Sequence, residues 1–205
     1  MVYSPETAGA HQKGNPLNAV ISLLDAEHEN RVVELWEELD TYFQLNRIYV
    51  TPHPHFSYQV AAQHEVEQVA GALQDLAREV APFSVRTSGG LGLFTGKKPV
   101  LYIPVVRGPE LDRLHRLVLQ KFQPLADGVV NHYQPSLWIP HITFGFGDVT
   151  AEKAARVVRH LQGRDFAWEI AIDNLAFIHS TPEEGQILKF RTSLAGQGGN
   201  EDAGH

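Results

Sequence analysis

The run Trp138-Ile139-Pro140-His141-Ile142-Thr143-Phe144-Gly145-Phe146 alternates polar and apolar residues in the manner of a half-buried strand. In extended chain, residues i and i+2 share a face. His141 and Thr143 therefore lie on one side, with Ile142 and Phe144 on the other. The same order of histidine, apolar, hydroxyl and aromatic residue recurs at His55-Phe56-Ser57-Tyr58. Phe56 and Tyr58, like Ile142 and Phe144, are expected to pack inward while each histidine–hydroxyl pair projects from the opposite side. The tripeptide alone is weak, since it occurs a third time at His179-Ser180-Thr181. That copy runs into the Pro182 turn, lacks the apolar and aromatic partners, and is read as coincidence.

Working outward, each strand sits between two helical patterns. Ala19 to Leu24 reads as a buried strand. Val32, Leu35, Trp36, Leu39, Tyr42 and Phe43 recur at helical spacing over about 27–45. Residues 48–60 follow as a strand kinked by Pro52 and Pro54, then a helix from Val66 to Val80 that stops before Pro82. Strands at 83–87 and 99–106 flank the glycine-rich SGGLGLFTGKKP (88–99). Pro109 opens a third helix, residues 138–146 form a strand, and Thr150 caps a fourth helix that ends at Gly163. The last strands, 167–178 and 186–194, are turned by TPEEG (181–185). The halves thus repeat helix–strand–helix–strand–strand. The fold class is α+β: a bilobal, pseudo-two-fold arrangement of two similar lobes with mainly antiparallel sheets facing a central cleft. Residues 18–195 form this single domain, with 1–17 and 196–205 expected to be disordered.

The chain has 205 residues, 43% of them hydrophobic and 20% charged, the composition of a soluble globular protein. Its longest apolar runs fall far short of the ~20 residues that span a bilayer, and no secretory leader is visible. With no cysteine, thiol nucleophiles, disulfides and thiolate metal sites are excluded, and a cytoplasmic location is expected. The net charge of −7 argues against a protein that coats nucleic acid. The stretch from Arg86 to Lys121 carries +5 and the rest −12, so one basic third is set in an acidic body.

A two-fold axis between the lobes would bring both histidine–hydroxyl pairs to one cleft. Two imidazoles with unperturbed pKa of ~6.5 can supply a base and an acid near neutral pH. Ser57 and Thr143 can bind phosphoryl oxygens. This is equipment for attack at phosphorus without a metal, and no cofactor is implied. A competing arrangement makes His53 and His55 a metal pair completed by His132 or His141, but it lacks a carboxylate at ligand spacing. The glycine-rich segment fails as a P-loop, because Leu91 and Lys98 stand where Gly and Ser/Thr are needed. Lys97 and Lys98 either reach a substrate phosphate or are solvated. Tyr102, Tyr133 and Trp138 are candidates for stacking on a base, with core packing the preferred role for Trp138. His28, His64, His115 and His160 have polar neighbours and are expected at the surface.

On these motifs the chain resembles the 2H phosphoesterase superfamily, in the branch of 2′-5′ RNA ligase-like proteins and RNA 2′,3′-cyclic phosphodiesterases. The match is close at His141-Ile142-Thr143-Phe144, and GGLGLFTGKKPVLYIPV (89–105) resembles that family's Gly-x-Gly-x-Phe turn and following strand. In the first motif Ser57 replaces the commoner Thr but retains the hydroxyl. The resemblance implies an enzyme that opens a 2′,3′-cyclic phosphate to a 2′-phosphomonoester, with His55 and His141 catalytic and Ser57 and Thr143 on the non-bridging oxygens. His141 is taken as base and His55 as acid, an order the residues alone do not fix. Run backwards with an RNA 5′-hydroxyl, the same groups make a 2′-5′ ligase. The implied partner is an RNA end or nucleotide carrying a cyclic phosphate or 2′-5′ linkage, with no membrane or protein partner. The alternative is a non-catalytic RNA-end or nucleotide-binding module on the same scaffold.

Overall fold

The computed structural model describes residues 17–51, 53–181 and 185–196. The first strand, β1 (Asn18–Leu23), is wholly buried and feeds helix α1 (Ala26–Phe43), whose N-cap Asp25 accepts the His28 amide at 3.0 Å. Strand β2 (His55–His64) returns beside β1, and α2 (Val66–Glu79) and β3 (Phe83–Arg86) follow. Strands β4 (Gly92–Phe94) and β5 (Val100–Pro104) lead to α3 (Pro109–Phe122), which opens on the expected proline. Then come β6 (Ala126–Val129), β7 (His141–Phe146) and α4 (Ala151–Leu161), capped by the Thr150 hydroxyl as the sequence predicts. The chain closes with β8 (Glu169–Ile172), β9 (Asn174–Thr181) and β10 (Gly185–Ser193).

The strands form antiparallel sheets of five (β10-β9-β1-β2-β6), three (β4-β5-β7) and two (β3-β8). The triplets β9-β1-β2 and β4-β5-β7 correspond, and the units β1-α1-β2 and β5-α3-β7 are two copies of one idea. This is the α+β, mainly antiparallel architecture expected. The lobes are not consecutive halves of the chain, however. The C-terminal β9–β10 hairpin crosses back to pair with β1 through β9, and the first-half strand β5, with β4 on its other edge, pairs with β7. The helices also reach across, α1 packing on β7 and α3 on β2.

Several boundaries differ from expectation for local reasons. Residues Arg47–Val50 form a 3₁₀ turn, and pairing of β2 starts only at His55. Likewise β7 starts at His141, not at Trp138. In both cases a proline, lacking a donor, sits just before the histidine and ends the ladder. Each proline still accepts one bond from the neighbouring strand, Leu24 N–H to Pro54 O at 3.3 Å and Val105 N–H to Pro140 O at 2.9 Å. The predicted 167–178 strand breaks at Asp173, so that β8 and β9 join different sheets. The glycine-rich segment contains β4, where a side chain at Gly92 would collide with the Tyr102 ring.

The main core fills the space between sheets and helices, with Trp36, Phe56, Tyr58, Trp138, Ile142 and Phe144 all buried. A second cluster of Ala19, Ile21, Leu23, Val60, Ala176 and Ile178 lies on the other face of the five-stranded sheet. Contrary to expectation, His28 and His115 are buried and His64 is half-buried. His28 is held by the Asp25 carboxylate and His115 by the Tyr133 carbonyl, so polar sequence neighbours were a poor guide to their surroundings. Among the described residues no helix is long and apolar enough to cross a membrane. The segments expected to be disordered lie outside the described residues, except Leu17 and Gly196, which are packed at the two ends of the domain.

Candidate active site

The two motifs occupy equivalent places. His55, first residue of β2, stands opposite Leu23 at the end of β1; His141, first residue of β7, stands opposite Pro104 at the end of β5. Both runs show the same burial, with histidine and hydroxyl residue half-exposed and the next residue of each buried. One irregularity is shared as well. In β2 the register slips so that Tyr58 is an extra residue between the partners of Ile21 and Val20. In β7 it slips so that Phe144 is extra between the partners of Tyr102 and Leu101. A bulge of one residue inverts the alternation beyond it. Phe56 and Tyr58 thus enter the main core, yet Val60 joins His55 and Ser57 on the cleft face, and Phe146 joins His141 and Thr143.

All four predicted residues line one cleft of about 220 Å³, with Trp36, His53 and Tyr133 among their neighbours. The rings are fixed identically. His55 Nδ1–H donates to the carbonyl of His53 and His141 Nδ1–H to that of Ile139, each at 2.7 Å and two residues back. A carbonyl can only accept, so Nδ1 carries the proton in both neutral rings and Nε2 presents its lone pair. The hydroxyl residues are held through their own carbonyls. Trp36 Nε1–H donates to Thr143 O at 3.1 Å, and Trp138 Nε1–H donates to Ser57 O at 2.9 Å. Each motif is therefore steadied by a tryptophan from elsewhere in the chain.

Burial disfavours the imidazolium at both sites. It pushes the His55 pKa down to about 4; the His53 carbonyl opposes the shift and the charges of His141 and His53 add to it. His141 is also lowered by burial, against the pull of the Ile139 carbonyl. A proton on His141 therefore makes one on His55 harder to add. The cleft by itself thus favours two neutral rings near pH 7, and an anion between them would raise their proton affinity.

A second chamber of about 280 Å³ opens beside the first and shares Val60, Val100, Tyr133, His141 and Phe146 with it. Its further walls include Phe94, Leu137, Ile139 and Lys98. Phe94 stacks on Tyr102 at 4.1 Å, and both rings lie 5.1 Å from that of His141. Of the aromatic residues proposed for stacking, Tyr133 borders both chambers, Trp138 borders the second though it is buried, and Tyr102 is buried in support. Lys98 borders the second chamber; Lys97 does not border either.

The metal arrangement finds no geometry: His53 faces Glu29 at 3.6 Å, and among the described residues no three His, Asp or Glu side chains converge as ligands. The third histidine–hydroxyl run lies on β9 with His179 bonded to Asn18 Oδ1 at 3.1 Å, and it borders neither chamber. Three of the seven bases in the basic third face carboxylates, Arg86 near Glu169, Arg107 on Asp112, and Lys121 near Asp75 and Glu79. Sequence reasoning missed the donor role of Trp36, which is 107 residues from its acceptor and carries no local signal. It also passed over a usable one: a Pro-His dipeptide begins both motifs.

The sequence model of a family described as the 2′-5′ RNA ligase superfamily matches residues 24–183. No curated protein matches. Among solved structures, the protein TT0787 of Thermus thermophilus is similar at 19% identity and a TM-score of 0.58, over 89% of this chain and all of the other. Escherichia coli LigT, solved with 3′-AMP, is similar at 16% identity and a TM-score of 0.53, over 87% of this chain and 97% of its own. LigT solved with NADP+ gives 15% identity and 0.53, over 88% and 99%.

Proposed function

The chain belongs to the 2′-5′ RNA ligase superfamily, the 2H phosphoesterases, and on that premise we propose that it is a phosphodiesterase that hydrolyses 2′,3′-cyclic phosphates by two-histidine acid–base catalysis. The observation that carries this is the matched pair of His-x-hydroxyl runs on one cleft, each ring committed through Nδ1 so that Nε2 is left for the ligand. In the proposed step the cyclic phosphate lies between the rings, with Ser57 and Thr143 donating to its non-bridging oxygens. One neutral imidazole takes a proton from water as the new O–P bond forms. The other, protonated, gives its proton to the ribose oxygen as the old P–O bond breaks. Loss of the 3′ oxygen leaves a 2′-phosphomonoester. The substrate anion offsets the burial cost of the imidazolium, so the acid is charged when the substrate is present. Their equivalent anchoring makes either ring fit for either role. The side on which the ribose lies decides which histidine is the acid. With an RNA 5′-hydroxyl in place of water, the reverse step forms a 2′-5′ bond.

The test is to follow 2′,3′-cyclic nucleotides by product chromatography in the presence of a chelator. His55→Ala and His141→Ala should each lower kcat/KM by about 10²-fold or more, with thermal stability little changed because neither ring belongs to the packed apolar core. Wild-type turnover by both variants, or loss of activity on chelation, refutes the proposal. Nucleotide binding without any turnover by the native chain would identify a binding module instead.

A further inference from the structure

Resting on that reading of the cleft, we propose that the substrate is a nucleotide-sized molecule carrying one phosphodiester charge, its base in the second chamber, and not the end of a long RNA. The first chamber meets an anion with hydroxyls, imidazoles and the Gln186 amide, all neutral or nearly so near pH 7, and among the described residues no Lys or Arg lines it. That suits a single negative charge. A groove that follows a nucleic-acid strand needs a row of cations along its path. Here Arg86, Arg107 and Lys121 of the basic third face carboxylates, and Lys98 is the one ammonium among the described residues bordering either chamber. The stretches outside the described residues cannot supply such a row either, since they contain one base, Lys13, against Glu6, Glu183, Glu184, Glu201 and Asp202. An overall charge of −7 adds repulsion for a polyanion.

The second chamber supplies what a mononucleotide needs. It continues from the first past His141 and is walled mainly by Phe94, Tyr133, Leu137, Ile139 and Phe146. Leu137 and Ile139 stand 49% and 47% exposed, large apolar side chains held in water at the mouth of a ready-made slot. Covering them with a flat ring recovers hydrophobic energy that the free protein forgoes. The adjoining chambers, about 220 and 280 Å³, together reach the scale of small-molecule sites.

The test compares a 2′,3′-cyclic mononucleotide with a ten-nucleotide RNA ending in the same nucleotide and cyclic phosphate. The two should have kcat/KM within about threefold. A single phosphate contact carries a salt slope of about 0.7, so an eightfold rise in salt should lower kcat/KM less than about fivefold. A tenfold preference for the oligomer, or the roughly 300-fold salt effect that four phosphate contacts would give, overturns the proposal. Leu137→Ser should raise KM for the mononucleotide several-fold with kcat within twofold, a larger rise than for ribose 2′,3′-cyclic phosphate, which has no base to place in the chamber. An unaltered mononucleotide KM overturns the role of the chamber. If neither cyclic substrate is hydrolysed, the proposed reaction fails. Calorimetry with a 2′-phosphorylated mononucleotide and the matching oligomer then still decides the size: equal affinity upholds the inference, and tenfold tighter oligomer binding overturns it.

Discussion

His115 should make the fold acid-sensitive in a way that a single substitution can isolate. It lies on α3 with no exposed surface, its ring stacked on Trp138 at 3.7 Å and 15°, and Nε2–H donating to the Tyr133 carbonyl at 2.9 Å. Burial pushes its pKa down to about 4, against the opposing pull of that carbonyl. In the unfolded chain the ring titrates near ~6.5, so between these values the unfolded state binds a proton that the folded state refuses. Stability from this group is therefore complete above the unfolded pKa and drains away as pH falls toward the folded one. The loss is about 2 kcal/mol on going from about pH 7.5 to about pH 5, and about 3 kcal/mol by about pH 4. His115→Phe keeps a flat partner for Trp138 but cannot be protonated. It should be about 1 kcal/mol less stable near neutrality for want of the Tyr133 bond, and its stability should fall less with acid. Urea unfolding followed by tryptophan fluorescence at the two pH values would show the order reversed, the variant about 1 kcal/mol less stable at about pH 7.5 and about 1 kcal/mol more stable at about pH 5. Parallel curves for native protein and variant would refute the reasoning.

The pH profile of kcat/KM tests the coupled histidines directly. Because burial lowers both His55 and His141, the bell should peak on the acid side of pH ~6.5 and fall as pH rises and the acid loses its proton; a maximum well above neutrality contradicts the assigned environments. Trp36→Phe and Trp138→Phe each remove the donor to a hydroxyl residue's carbonyl and should cost about 1–2 kcal/mol of stability and up to about tenfold in kcat/KM. Native kinetics in both variants would show that those indole bonds do not position Ser57 and Thr143.

Much of the site was legible because it depends on the period of two of an extended chain. His55 with Ser57 and His141 with Thr143 needed only that alternation to be placed on a common face, and their repetition separated them from the His179 run. The helices were legible for a similar reason, with Trp36, Leu39 and Phe43 marking the buried side of α1 and Pro109 and Thr150 marking helix starts. What was not legible depends on partners distant in sequence. Strand β4 is three residues long and exists because Gly92 lets the backbone lie against Tyr102. The burial of His28 and His115 is decided by Trp168 and Trp138, rings that meet them across the fold. Lobe membership was hidden for the same reason, since nothing local in β9 says that it will pair with β1.

The bulges at Tyr58 and Phe144 connect these two levels. Unbroken alternation would carry Phe56, Tyr58 and Val60 together into the core, and Ile142, Phe144 and Phe146 likewise. A strand so arranged would present His55, Ser57, Gln59 and Ala61 to the cleft, a polar and small-residue floor. The one-residue slip separates the jobs within each strand: the first part aims an imidazole and a hydroxyl outward, and the part beyond the bulge turns Val60 or Phe146 to the same side. Apolar floor beneath the rings is what strips water from them and lowers their proton affinity. The same slip therefore shapes the cleft and tunes the histidines that line it, and its presence at matching positions in both lobes gives the two rings environments similar enough to work as a pair.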